Sequence, residues 1–260
     1  MRTWLRREVR RLLRALRQID TQVAVVLTLT PALVLLQQTL GSRAFYWTHL
    51  EEILPAGTRD LGAWGWWFGM QGVTGFVIPA GVLLVFFRRR PRDIGMGRGD
   101  MRLALGLAAA YLPLVAVGTW VLSADPAFQS EYPHLKSAAS DWGDFLIYEA
   151  LFLFYWIGWE YLWRGFVLFG TARAFGYTAI FVQMVPFAIL HLDKPPAEAA
   201  LSIAGGLALG ALVWRCRAFW IAVPIHAAQM LILDLWCTLR LRSGATSGIG
   251  LEALGRVLGL

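Results

Sequence analysis

The chain has 260 residues, of which 57% are hydrophobic and 16% charged, too apolar a balance for an ordinary soluble domain. Two cysteines exclude a disulfide framework. The formal net charge of +7 resembles a nucleic-acid signal in size but not in distribution, because the arginines gather beside apolar runs, as the positive-inside rule describes for a membrane protein.

Along residues 1–20, Leu5, Val9, Leu12 and Leu16 form one helical stripe with arginines around the remainder, the pattern of a basic amphipathic helix in the headgroup plane. Apolar segments follow near 22–40, 66–87, 103–123, 145–170, 177–192, 199–214 and 218–238, each of the order of the ~20 residues that span hydrocarbon. The fold class expected is therefore an all-α polytopic transmembrane helix bundle of about seven or eight helices. Its divisions are 1–20, transmembrane helices over 21–143, a core over 144–240 that carries the polar residues, and a tail over 241–260. Arginine clusters at Arg2–Arg17 and Arg88–Arg102 flank a helical hairpin and predict a cytoplasmic N-terminus in a multi-pass integral protein of a bacterial inner membrane. Seven crossings put the C-terminus on the opposite side, where Arg240, Arg242 and Arg256 run against the rule. Pro31, Pro79, Pro113, Pro186 and Pro224 fall inside the spans and predict kinks. Gly206 and Gly210 form a small-xxx-small pair for close helix packing.

Ionisable side chains inside such segments cost several kcal/mol unless partnered or functional. Glu160 and Arg164 stand four apart and share a helix face. Gln183, Phe187 and His191 share another, and His226, Met230 and Asp234 a third. If the faces converge, two imidazoles, a carboxylate and a guanidinium enclose one pocket, an inventory suited to activating water and binding an oxyanion, with or without a metal. His191, His226 and Glu160 are the metal ligands if one is bound, zinc being the natural ion for such a set. Each residue also has a purely structural reading: the ion pair can lock helices, and each histidine can be a hydrogen-bonded packing residue. Straight-helix arithmetic places Glu160 ~24 Å from one face and His191 ~21 Å from the opposite end of its span. The two then meet only through tilt, a kink at Pro186 or different helix boundaries.

At these residues the sequence resembles the CAAX-protease and bacteriocin-processing family of intramembrane proteases, the Abi or type II CAAX prenyl endopeptidase family. That family's pattern is Glu-Glu-x-x-x-Arg, then Phe-x-x-x-His, then His-x-x-x-Asn or Asp. Glu160 and Arg164 match the first without its leading glutamate, replaced by Trp159; Phe187 and His191 match the second; His226 matches the third, with Met230 at the Asn position. The resemblance covers about residues 144–240. It implies an endopeptidase that cuts a membrane-associated protein or peptide in or near the bilayer, with His191 and His226 positioning water or metal and Glu160 either in acid–base work or paired with Arg164. Spacing offers two carboxylates for the missing glutamate, Glu198 just after the Lys194-Pro195-Pro196 turn and Asp234 one turn beyond Met230. Membrane lipid and such a substrate are the partners expected, and nucleic acid is not. The alternatives are an inactive family member acting as a scaffold or bacteriocin-immunity protein, and a transporter.

Overall fold

The computed structural model describes residues 2–16 and 18–260. Its helices are α1 (Arg2–Leu16), α2 (Thr21–Thr39), α3 (Arg43–His49), α4 (Arg59–Gly72), α5 (Met101–Leu122), α6 (Pro126–Glu131), α7 (Trp142–Glu160), α8 (Leu168–Phe175), α9 (Ala179–Ile189), α10 (Pro196–Cys216), α11 (Ala222–Ser243) and α12 (Leu251–Leu258). Helix α4 runs on through wide π turns at Val73–Val77 and Val82–Phe86, and α7 passes into α8 through another at Tyr161–Val167. The architecture is all-α, and no strand occurs among the described residues.

Among the described residues, six helical runs are long and apolar enough to cross a membrane. One of them, Trp142–Ile189, is 48 residues long and holds two of the seven expected spans, since ~72 Å of helix exceeds any bilayer. It folds back at Gly176, whose φ of 53° and ψ of −133° suit only a residue without a Cβ. Helix α9 therefore returns along α8 and the π segment.

This reversal removes the depth conflict. Glu160 stands sixteen residues before Gly176 and His191 fifteen after it, so both lie ~22–24 Å along the chain from the same turn. The helix before the turn is simply longer than the apolar segment it contains, and α9 has only 11 residues, so that His191 stands in the turn just after it.

Helix α10 then packs along α9. A Cβ at Gly206 would press at 3.1 Å on both Met184 and Phe187, and the bare backbone there lets the Gln183 amide donate to the Gly206 carbonyl at 2.8 Å. Pro224 does not kink its span: it lies in the first turn of α11, where no backbone bond is lost.

Two of the three arginines near the C-terminus are held by specific contacts. The Arg240 guanidinium is fully buried and donates to Ser123 Oγ at 2.7 Å and to the carbonyls of Ala245 (3.1 Å), Gly248 (2.9 Å) and Trp120 (3.3 Å). It fastens the tail to α5 rather than acting as a free topological charge. Arg242 donates to the Ser140 carbonyl at 2.8 Å and lies over the Trp142 ring. At the other end, Leu5, Val9 and Leu12 of α1 are exposed, while the Leu16 side chain and Arg17 lie outside the described residues.

Candidate functional site

Glu160 ends α7, and Arg164 sits within the π segment that follows, the kind of local widening that recurs at functional sites. Both side chains are fully buried. Arg164 Nη1 donates to Glu160 Oε1 at 3.0 Å, as the i, i+4 spacing predicts. The same oxygen lies 2.6 Å from His226 Nδ1, brought in by the first turns of α11. Arg164 also lies over the Phe187 ring, 4.3 Å from its centroid. Apolar helices tolerate this charge because carboxylate, imidazole and aromatic face surround it together.

His191 occupies the turn after α9. Its Nδ1 is 2.7 Å from the Phe187 carbonyl, and its ring packs against Phe187 at 4.6 Å and Trp159 at 6.1 Å. Phe187 thus supports His191 through its backbone and ring and Arg164 through its face, which is the physical content of the Phe-x-x-x-His spacing. A carbonyl only accepts, so Nδ1 of His191 carries the proton and Nε2 keeps its lone pair. Burial, helped by His226, Lys194 and Arg164 and opposed by the bond to Phe187, pulls the His191 imidazole down to about 4, so it is neutral at physiological pH. For His226, the bond to the Glu160 carboxylate similarly assigns the Nδ1 proton and frees Nε2.

His191, His226, Glu198 and Met230 share the wall of a cavity of about 500 Å³. The remaining lining is mostly apolar and comes chiefly from α5, α10 and α11, including Leu107, Leu201 and Leu233, with Phe128 of α6 and Phe187 of α9. Glu160 and Arg164 are not on this wall. The expectation that Glu160 lines the pocket with the histidines is corrected: the carboxylate stands behind His226 and reaches the cavity only through it.

Glu198 is on the wall, but its hydrogen-bond partner among the described residues is Tyr132, whose hydroxyl lies 2.7 and 2.8 Å from its two oxygens; no bond joins it to His191. Tyr132 is fully buried, and burial followed by the charge of Glu198 pushes its phenol well above the usual range, so it remains a donor. Asp234 is not part of the cavity wall. It is fully buried beside Glu149 on the seam between α7 and α11, with neither carboxylate oxygen hydrogen-bonded among the described residues, so of the two spacing-based substitutes only Glu198 arrives at the site. Sequence reasoning missed Tyr132, because it falls in no motif and its partner Glu198 is 66 positions away.

The set His191, His226 and Glu160 does not fit a metal centre. No group of three His, Cys, Asp or Glu able to hold an ion is assembled among the described residues, and Glu160 Oε1 is committed to Arg164 and His226.

Comparison with known families matches residues 141–232 to the type II CAAX prenyl endopeptidase Rce1-like family, over the same core that the motifs mark. No curated protein and no solved structure matches the chain.

Proposed function

We propose that this integral membrane protein, which carries an Rce1-like type II CAAX prenyl endopeptidase domain, hydrolyses a peptide bond at the cavity wall with water activated by His191 and Glu198. The observation that supports this reading best is that both histidines have Nδ1 bound and Nε2 free on one cavity wall that also holds a carboxylate. Water positioned there gives a proton to Nε2 of His191 or to Glu198, and its oxygen attacks the peptide carbonyl carbon. His226, whose Nδ1 is held by Glu160, accepts from the same water through its free Nε2 and so orients it, and the group that took the water's proton passes it to the departing amine, which returns the site to its starting state. Arg164 balances Glu160 so that the carboxylate persists in the apolar interior. Met230 supplies apolar surface where the family pattern places an oxyanion donor. The end of the bundle where Arg173 pairs with Asp20 and Arg215 with Asp100, next to the two arginine clusters of the sequence, we assign to the cytoplasm.

A specific observation favours a second reading. Trp159, where the family has its first glutamate, packs against His191, and a ring there blocks water on that side, as in a scaffold without turnover. The test is cleavage of a prenylated CAAX peptide by the purified chain in proteoliposomes. Turnover that disappears in His191→Ala and Glu198→Gln supports the peptidase; no turnover by the unmodified chain supports the scaffold.

A further inference from the structure

Glu198 reaches the cavity from the first turn of α10, and a glutamate side chain at the start of a helix has several rotamers open to it. Something must select one. Each Glu198 oxygen lies within 2.8 Å of the single hydroxyl of Tyr132, and that residue comes from the segment between α6 and α7, outside the residues that match the family.

The surroundings hold Tyr132 itself. Its ring packs on His134 at 4.7 Å and on Phe128 at 6.2 Å, and Lys194 Nζ lies 5.3 Å from its centroid. Lys194 in turn bonds Glu131 at 2.7 Å and lies 3.2 Å from His134 Nε2. The turn that joins His191 to Glu198 is thereby fastened at Lys194 to the segment that carries Tyr132. His134 is stacked on Trp64 at 5.3 Å, which ties the segment to α4. A hydroxyl held at this many points is a fixed donor, and a fixed donor orients the acceptor it binds.

We infer that Tyr132 is a positioning residue: its hydroxyl holds the Glu198 carboxylate in the rotamer that faces the reacting water. The inference rests on the proposed role of Glu198 and is separable from it. Tyr132 itself touches no reacting atom.

The experiment compares Tyr132→Phe with the unmodified chain and with Glu198→Gln, using the prenylated CAAX peptide in proteoliposomes. Phenylalanine keeps the ring contacts and deletes one hydroxyl. The expected result is a kcat lower by about 10- to 100-fold, the worth of a hydrogen bond to a charged group, with KM and thermal stability unchanged. A merely structural tyrosine would change stability and leave kcat alone. Loss of turnover in Glu198→Gln with full turnover in Tyr132→Phe overturns the inference and leaves the base role standing; full turnover in Glu198→Gln overturns the base role and with it the inference. If the chain does not cleave this peptide, modification of Glu198 by a hydrophobic carbodiimide, read by mass spectrometry, decides instead. Labelling at least about threefold faster in Tyr132→Phe, whose carboxylate lacks the donor that shields both oxygens, supports the inference, and an unchanged rate overturns it.

Discussion

Glu160 and Arg164 form a fully buried pair at 3.0 Å, and Glu160→Gln isolates what that pair contributes. The amide keeps an oxygen for His226 Nδ1 but leaves the guanidinium without a countercharge, its Nε and Nη2 already lacking partners. Breaking one side of a buried pair costs about 3–5 kcal/mol. The Phe187 face at 4.3 Å returns up to about 2 kcal/mol of cation–π attraction, but that contact exists in the unmodified chain too and so does not reduce the loss. Arg164→Leu should cost less, about 2–3 kcal/mol, because His226 Nδ1 remains at 2.6 Å to donate to the carboxylate. The double variant then recovers a coupling of roughly 1–3 kcal/mol relative to the sum of the singles. Reversible unfolding in mixed detergent micelles, with all four proteins measured under one condition, gives the cycle directly. Additivity within about 0.5 kcal/mol would refute the argument that Glu160 is held in place as the partner of Arg164.

Met230→Asn, at the cavity wall, should raise kcat by about tenfold or more by adding an oxyanion donor, measured as steady-state peptide release. Acidification should destabilise the chain. His191 is pulled down to about 4 and burial with Lys194 pulls His134 down as well, so the unfolded chain binds protons that the folded one refuses. Stability is then complete above about pH 6.5 and lost progressively below it; His134→Gln should flatten that decline in thermal scans from pH 7 to 5. Arg240→Met removes a buried cation bonded to three carbonyls and a hydroxyl and should cost about 2–4 kcal/mol, with faster limited proteolysis in 244–260; a protease pattern like that of the unmodified chain would contradict its fastening role.

The fold class was legible because membrane hydrocarbon leaves a chain few choices: an apolar run near twenty residues must satisfy its own backbone bonds as a helix. The Glu160–Arg164 pair and the Phe187–His191 support were legible for the same reason, since each lies within one helical turn and needs only helix geometry to form. Local spacing could not show that Gly176 reverses the chain equally far from Glu160 and His191, nor that Glu160 ends up behind His226 instead of on the wall. Asp234 and Glu198 looked equivalent as substitutes for the missing glutamate, and packing separated them: α11 turns Asp234 toward Glu149 on α7, while the turn at Lys194 delivers Glu198 to Tyr132 and the cavity. Contacts between residues 66 or more positions apart depend on how helices pack, and the hydrophobic periodicity of each helix specifies which face is apolar without specifying which neighbour covers it.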